Sequence, residues 1–340
     1  MGSQQESPPM GSNAHSLSKK LSEVLERVLG NTTITEPVQL SGGANRETWS
    51  FDAIDVEEQT HPLIIQMDRP GMERLEGTCA REAKILTVAK GKGVPVPKVV
   101  LSGHSKHFHG RSFSITSRIP GETIARKILR DDQWELARQN FVADSAKALA
   151  AIHSIEETDF HDVEVEITHD PLQTLELIYD ALTDPHPTFD LAFRWLKKNR
   201  PEPTGFSFVH GDYRLGNLLF CESGLSAVLD WEIAHFGDPC EDLGWLCVRA
   251  WRFGGFGKVA GISGYESLLN HYGKESGRKI PIPTLQWWEI FGTLRWGIIC
   301  LQMGGDFRVG RTNSLEIAAI GRRVAENEYD LLSTLGEQQL

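Results

Sequence analysis

The chain has 340 residues, of which 40% are hydrophobic, and a formal net charge of −11. That length and apolar content suffice for one large two-lobed enzyme or two ordinary domains without stabilising disulfides or metals. The acidic balance argues against nucleic acid or an anionic membrane as the main partner, because both require clustered lysine and arginine. Five scattered cysteines, none in a C-x-x-C pair, indicate neither a disulfide framework nor a zinc site and favour a reducing cytoplasm.

The N-terminal third predicts a helix followed by strands. Residues 1–15 have neither a basic start nor an apolar segment, so we expect a disordered tail and no signal peptide. A short helix is predicted over residues 18–29. Residues 34–40, 48–54 and 63–68 are rich in β-branched and aromatic side chains and predict three strands. A short Gly-rich turn connects the first two strands: Ser41, Gly42, Gly43, Ala44 and Asn45.

The following residues complete a small antiparallel sheet. Residues 78–90 carry apolar side chains at helical spacing and predict a helix. Two further strands are predicted over residues 94–100 and 112–118, and Ile119-Pro120-Gly121 ends this part of the chain.

Helical patterns dominate from Gly121 onward, beginning with an amphipathic helix over residues 132–154. The apolar residues 287–303 are interrupted by Glu289 and Arg295 and fall short of the roughly 20 apolar residues of a membrane span. They predict a buried helix.

The most informative segment begins at Phe208 and reads Phe-Val-His-Gly-Asp-Tyr-Arg-Leu-Gly-Asn. Its Asp212 and Asn217 are five positions apart, the spacing of the protein-kinase catalytic loop. Asp230 ends the second strand of a hairpin that is predicted to start at Leu218. Phosphoryl transfer needs a carboxylate that receives the hydroxyl proton and hard oxygen ligands for Mg²⁺. The segment therefore predicts a phosphoryl-transfer site, with Asp212 as the base and Asn217 and Asp230 as the metal ligands.

These motifs resemble those of the aminoglycoside phosphotransferase and choline kinase superfamily, and the chain looks most like the phosphotransferases related to kinase domains joined to acyl-CoA dehydrogenases. Phe-Gly-Asp-Pro-Cys-Glu-Asp-Leu-Gly, starting at Phe236, is similar to the run that follows the metal aspartate in that family. The resemblance implies an α+β, protein-kinase-like fold of two lobes. The N-lobe, residues 16–118, is then a small antiparallel sheet with a helix, and the C-lobe, residues 119–340, is mostly helical.

The resemblance also assigns residues to a bound nucleotide, ATP or GTP with Mg²⁺. The Gly-rich turn would lie over the phosphates, and Glu82 takes the place of the helix glutamate that pairs with a strand lysine. Ser117 and Ile119 fall at the hinge, where backbone groups hold the adenine. The nucleotide residues implied are Ser41, Gly42, Gly43, Asn45, Gln66, Glu82, Ser117 and Ile119.

Three further residues are expected to support the catalytic loop. His210 would hold the loop by packing and hydrogen bonding, and Asp242 would tie it to the helix that follows. Glu232 is either a partner of the metal ligands or a residue at the surface of the site.

The chain departs from the family pattern at Gln66. The matching strand in the family carries a lysine or arginine, which neutralises phosphates and pairs with the helix glutamate, whereas here it reads Leu63-Ile64-Ile65-Gln66. A glutamine donates hydrogen bonds but supplies no charge. Either the activity is weakened, or Arg69, Arg81 or another cation compensates. Gln66→Lys is expected to tighten ATP binding unless such a cation already occupies the position.

The C-terminal residues argue against a polycationic acceptor. From Glu241 to the end, eleven acidic residues balance eleven basic ones, whereas an aminoglycoside site needs surplus carboxylates. Arg249, Arg252 and Arg295 are candidates for binding an anionic group of the acceptor.

We therefore expect a cytoplasmic, ATP- and Mg²⁺-dependent phosphotransferase that O-phosphorylates a small hydroxylated metabolite, with neither nucleic acid nor membrane as a partner. Two alternatives stay open. A nucleotide-binding pseudokinase acting by interaction is supported by Gln66 and opposed by the intact Asp212, Asn217 and Asp230. A true aminoglycoside- or choline-type kinase is the other. A protein kinase is disfavoured, because no Ala-Pro-Glu-type segment follows Asp230.

Overall fold

The structure is a computed structural model that describes residues 10–40, 46–69, 78–161 and 163–338. The chain divides into two compact units. Unit 1 comprises the chain up to Gly91 together with Pro95–Pro120, and unit 2 comprises Lys92–Val94 and the chain from Gly121 onward. The boundary lies two residues after the one predicted from the sequence.

Unit 1 is an antiparallel sheet with two helices. Its strands follow the order β1-β3-β4-β6-β5, and β2 pairs with β3 as well. The elements are α1 Met10–Leu29, β1 Thr33–Ile34, β2 Val38–Leu40, β3 Arg46–Ile54, β4 Thr60–Asp68, α2 Thr78–Gly91, β5 Val99–His104 and β6 Ser112–Ser117.

One face of this sheet packs against α1. The helix presents Leu17, Leu21, Val24 and Leu25 at the spacing of a single apolar stripe, and all four are buried. They share one core with sheet residues that alternate along the strands: Phe51, Ala53, Leu63, Ile65, Met67, Phe113 and Ile115. The opposite face of the sheet is therefore left to polar side chains.

Three sequence predictions for this unit need correction. The predicted disordered tail, residues 1–15, is wrong for residues 10–15, because the apolar stripe of α1 already includes buried Ala14. Residues 1–9 lie outside the described part. The strand predicted over residues 34–40 is two short strands separated by residues 35–37, which include Pro37. The strand predicted over residues 94–100 begins only at Val99, since Pro95 and Pro97 lack the N–H that a sheet ladder needs.

Unit 2 is mostly helical, with two short two-stranded sheets that carry the catalytic motifs. Its elements are α3 Ala125–Arg130, α4 Glu135–Ile152, α5 Pro171–Leu182, α6 Pro187–Lys198, β7 Ser207–Val209, β8 Leu218–Cys221, β9 Gly224–Val228, β10 His235–Gly237, α7 Cys240–Cys247, α8 Tyr265–Ser276, α9 Ile282–Arg308, α10 Leu315–Gly321 and α11 Val324–Glu337.

The core of unit 2 is built around α7 and α9. All eight residues of α7 are buried, and Gly244 lets the two helices approach closely. A Cβ at Gly244 would lie 2.4 Å from the Cβ of Trp288 on α9, so any larger residue would push the helices apart. Helix α9 is the buried helix predicted from the sequence. Within the described ranges, no helix has both the length and the apolarity to cross a bilayer.

Candidate active site

One buried carboxylate, that of Asp242, holds the loop between β7 and β8. Asp242, in the first turn of α7, accepts the backbone N–H of His210 at Oδ2 and that of Gly211 at Oδ1, both at 2.8 Å. Two short charge-assisted hydrogen bonds from consecutive amides fix the loop relative to α7.

The Asp242 carboxylate also contacts a buried histidine. His153 of α4 lies 3.1 Å from Asp242 Oδ2 through its Nε2, and its Nδ1 lies 2.7 Å from the hydroxyl of Tyr272. Burial alone would raise the pKa of Asp242, but the hydrogen bond and charge of His153, and the amide of His210, hold the pKa below its usual range. The carboxylate therefore supports the loop in its charged form.

His210 is committed to holding the loop. Its ring is buried, and Nδ1 accepts the backbone N–H of Asp212 at 3.1 Å. Nδ1 therefore carries no proton, so Nε2 is the atom that donates to the carbonyl of Leu229 at 3.0 Å. The histidine thus joins the catalytic loop to the end of β9.

The carboxylate of Asp212 is oriented by three side chains. Oδ1 accepts the Nε–H of Arg214 at 2.9 Å and the indole N–H of Trp245 at 2.7 Å. Oδ2 accepts the amide of Asn217 at 2.5 Å. A carboxylate offers about four lone-pair sites, so one site on Oδ2 is left for a hydroxyl. The side chain is 16% exposed, so solutes can reach it.

The β8–β9 hairpin brings Asn217 and Asp230 to the same end of the strands. Leu218 pairs with Val228, and the N–H of Leu229 donates to the carbonyl of Asn217 at 2.8 Å. Asp230 lies just beyond this bond and adopts the left-handed region, with φ of 64°. That conformation is uncommon for a residue other than glycine and is typical of functional sites.

The donor chemistry of Asn217 and Asp230 fits Mg²⁺. The Asn217 amide nitrogen donates to both the carbonyl and the carboxylate of Asp212, so Oδ1 is the atom that could bind a metal. Magnesium in phosphoryl-transfer sites is held by one or two carboxylates with substrate phosphates and water. Among the described residues, no group of three or more His, Cys, Asp or Glu side chains is arranged so that it could hold a metal ion. Glu232 is partly exposed, two residues after Asp230.

Unit 1 supplies a cation that the sequence analysis missed. Gln66 lies on β4, and Glu82 on α2 is buried in an ion pair with Arg46, the first residue of β3.

The other residues predicted to bind the nucleotide are only partly described. Ser117 ends β6, where its hydroxyl accepts the N–H of Lys98 at 2.9 Å, and Ile119 lies two residues further on and is partly buried. The predicted phosphate-turn residues Ser41, Gly42, Gly43 and Asn45 lie outside the described residues.

A sequence profile of the phosphotransferase enzyme family matches residues 41–277, which include Glu82, the catalytic loop and Asp230. The chain belongs to this family. Relatives in sequence include mouse acyl-CoA dehydrogenase family member 10, 26% identical over 84% of this chain, and the human member 11, 25% identical over 64% of this chain. The chain spans 25% and 29% of the lengths of these two relatives.

Solved structures show that the chain has the kinase-like phosphotransferase fold. A candidate aminoglycoside phosphotransferase from Ralstonia eutropha aligns with a TM-score of 0.72 at 21% identity, over 94% of this chain and 98% of that one. Macrolide 2′-phosphotransferase from Brachybacterium faecium aligns with a TM-score of 0.60 at 14% identity, over 90% and 97%. The fold and family predicted from the sequence are thereby confirmed.

Two of the three arginines that the sequence suggested for acceptor binding make internal contacts instead. Arg252 donates to the carbonyl of Cys247 and pairs with buried Glu289 at 2.6 Å. Arg295 pairs with buried Glu241 at 2.8 Å and donates to the carbonyl of Gly211 at 3.3 Å. Both therefore have structural partners that charge counting could not reveal.

Arg249 is placed differently, because its side chain is 57% exposed and lines a cavity of about 750 Å³. Its guanidinium lies 3.4 Å from Asp330 and over the ring of Tyr329. The Asp330 side chain is only 14% exposed, whereas the mostly exposed guanidinium of Arg249 can be reached by a substrate anion from the cavity. The cavity is lined by Arg126, Arg249, Ala250, Phe253, Gly254, Arg323, Ala325, Glu326, Tyr329 and Asp330.

Contacts connect this cavity to Asp212 within unit 2. The guanidinium of Arg214, which binds Asp212, lies 4.6 Å from the ring of Trp251. Trp251 belongs to the same 3₁₀ turn as Arg249, and its ring lies 4.8 Å from that of Trp296. The cavity is therefore a candidate for the acceptor side of the site.

A buried histidine adds a pH-dependent contact beneath the catalytic loop. His235 of β10 lies 3.2 Å from Glu241, the same carboxylate that binds Arg295. Burial alone would lower the pKa of His235, but the charge and hydrogen bond of Glu241 outweigh it and raise the pKa to about 9. The imidazolium is thus the dominant form at neutral pH.

We expect His235 to make the folded state less stable at alkaline pH. Its folded-state pKa lies above its ordinary value of 6.5, so the stabilisation is complete below about pH 6.5 and is lost as the pH rises through about 9. Thermal melting between pH 6 and 9.5 should show a falling Tm that is shallower in His235→Gln. His271→Gln, which removes a histidine whose Nδ1 lies 2.8 Å from the carbonyl of Ser267, serves as the control. Parallel pH profiles for wild type and His235→Gln would contradict the assignment.

Proposed function

We propose that the chain is an ATP- and Mg²⁺-dependent kinase that phosphorylates the hydroxyl group of a small molecule. The observation that carries this proposal is the arrangement of Asp212, Asn217 and Asp230. Asn217 hydrogen-bonds the Asp212 carboxylate, and the hairpin returns Asp230 to the same end. A base beside two hard oxygen ligands is what phosphoryl transfer requires of a protein.

The chain's own residues divide the work as follows. Asp212 Oδ2 accepts the proton of the attacking hydroxyl, while Arg214 and Trp245 keep the carboxylate from rotating away. The hydroxyl oxygen bonds to the γ-phosphorus as the bond to ADP breaks, and the proton later passes to solvent. Asn217 Oδ1 and the Asp230 carboxylate would hold Mg²⁺, which when bound would supply positive charge opposite the phosphates.

Two neighbours in structure illustrate the substrate range of this fold. One is an aminoglycoside phosphotransferase solved as a ternary complex with ADP and hygromycin B, aligned with a TM-score of 0.57 at 16% identity. Another is a complex with GDP and kanamycin, aligned with a TM-score of 0.65 at 14% identity. They support a nucleotide and a small hydroxylated acceptor as the two substrates proposed here.

We also propose that the protein is cytoplasmic. All five cysteines are free thiols, which supports a reducing compartment.

We propose further that the acceptor is not a polycation. The cavity beside Trp251 carries three arginines, Arg126, Arg249 and Arg323, against two carboxylates, Glu326 and Asp330. Its charge therefore favours an acceptor with a carboxylate or phosphate group, which guanidinium groups bind in bidentate fashion.

A side-by-side assay tests the acceptor class. We expect ADP release with hydroxylated carboxylates or phosphates, including hydroxyacyl-CoA thioesters, to exceed that with kanamycin by about tenfold or more in kcat/KM, since one lost charge-assisted bond costs about 1.5 to 3 kcal/mol. Arg249→Gln should raise KM for the anionic acceptor and leave KM for ATP unchanged. Efficient phosphorylation of kanamycin at micromolar concentration would overturn the proposed acceptor class.

A further inference from the structure

The sheet of unit 1 has a largely polar face opposite the one that packs against α1. The strand register places Arg46 and Gln66 on that polar face. Thr48 pairs with Gln66, and Arg46 pairs with Asp68. Directly opposed residues of antiparallel strands lie on the same face, as do residues two positions apart along a strand. Arg46 is therefore the diagonal neighbour of Gln66, about 7 to 8 Å away between backbones.

Helix α2 is anchored on the same polar face. The N–H of Ala80 donates to the hydroxyl of Ser112 at 2.9 Å, and the thiol of Cys79 lies 2.9 Å from a carboxylate oxygen of Asp68. Asp68 is the residue opposite Arg46 in the ladder. These contacts fix the start of the helix so that Glu82, one turn later, reaches Arg46.

The ion pair of Arg46 and Glu82 is buried, with side-chain exposures of 7% and 4%. Removing water from two charges is costly unless each has a partner, so the fold depends on both members. A guanidinium has five N–H donors on a planar group and can engage a carboxylate and a second anion together, which a glutamine cannot do.

We propose that Arg46 replaces the lysine that Gln66 lacks. The cation has moved from β4 to the adjacent strand β3, where it positions Glu82 and attracts the phosphates of the nucleotide. This inference rests on the proposed kinase function. It also removes the sequence feature that favoured a pseudokinase, because the missing charge is supplied from one strand away.

The test is nucleotide affinity in a charge-relocation series. Binding of a fluorescent ATP analogue with Mg²⁺ is measured without acceptor for wild type, Arg46→Gln, Gln66→Lys and the double variant Arg46→Gln/Gln66→Lys. Arg46→Gln should weaken binding about tenfold or more, because it removes a charge-assisted bond to the phosphates. The double variant should regain most of that loss. Gln66→Lys alone should not tighten binding, because it adds a second cation beside Arg46.

Arg111→Gln is the matched control, since Arg111 pairs with Glu47, whose ladder position lies on the opposite face. Its affinity should stay within about twofold of wild type. Melting temperatures establish folding. Arg46→Lys keeps the charge and should retain most of the affinity. If Arg46→Gln unfolds, a folded Arg46→Lys variant that loses nucleotide binding would overturn the inference.

The outcomes separate the inference from the proposed function. If wild type binds and Arg46→Gln binds within about twofold of it, Arg46 is not the replacement cation and the inference fails alone. A folded double variant that binds no better than Arg46→Gln also overturns it. If wild type itself binds no Mg²⁺-nucleotide, the proposed function fails and the inference fails with it.

Discussion

Asp212→Asn should reduce turnover by roughly 10²-fold or more while leaving the affinity for Mg²⁺·ATP nearly unchanged. The proposed proton acceptor is Oδ2 of Asp212, which accepts the Asn217 amide and keeps a second lone-pair site for the hydroxyl. An amide cannot take that proton at neutral pH. The residues that we propose for nucleotide binding do not include Asp212, so binding should survive. The measurement pairs steady-state ADP release with a direct titration of nucleotide affinity.

The hydrogen bonds around Asp212 determine which experimental controls the Asp212→Asn variant needs. Its carboxylate receives hydrogen bonds from Arg214, Trp245 and Asn217, so an amide at this position must turn one N–H toward a donor. A melting curve is needed to show that the loop still folds. Asp180→Asn, an exposed charge removal on α5, is the matched control and should keep full turnover. Near wild-type turnover in a folded Asp212→Asn enzyme would eliminate Asp212 as the base.

Asp230→Asn is expected to weaken Mg²⁺-dependent nucleotide binding by about tenfold or more, equivalent to about 1.4 kcal/mol. Magnesium prefers charged oxygen ligands and is held by few of them, so one lost carboxylate charge has a large effect. Asparagine is the right replacement because it tolerates the left-handed backbone that Asp230 adopts, with φ of 64°. Alanine would add backbone strain to the loss of the ligand.

A calorimetric titration with and without Mg²⁺ checks this expectation. The magnesium-dependent part of the affinity should shrink in Asp230→Asn, and nucleotide binding in EDTA should be the same as in wild type. Glu232→Gln, two residues further along, provides a comparison in the same loop. An unchanged Mg²⁺·ATP affinity in Asp230→Asn would refute the metal-ligand assignment.

The site residues that the sequence could bring together are local in the chain. Asp212 and Asn217 occupy one loop, and a short hairpin determines where Asp230 lies relative to Asn217. Alternating apolar residues and a turn are enough to predict such a hairpin, because neighbouring strands of this kind pair with each other. The fold followed from the same motifs, since their order matches a single family.

The parts that the sequence did not predict depend on contacts between distant residues. Arg46 and Glu82 are 36 positions apart, and their contact depends on strand register and on the anchoring of α2 by Ser112. Arg295 and Glu241 are 54 positions apart and meet inside a helical core. Charge counting identifies such arginines but cannot tell a buried partner from a solvent-facing one.

The most direct test of the kinase proposal follows phosphorus. Wild-type protein and Asp212→Asn are incubated with Mg²⁺·ATP and a small-molecule extract, and ³¹P NMR is recorded over time. Wild type should produce ADP together with an equal amount of a new phosphomonoester, and the variant should produce neither at a comparable rate. Tight nucleotide binding without any new phosphomonoester, across extracts and the anionic hydroxylated compounds, would contradict the kinase assignment and support a nucleotide-binding pseudokinase.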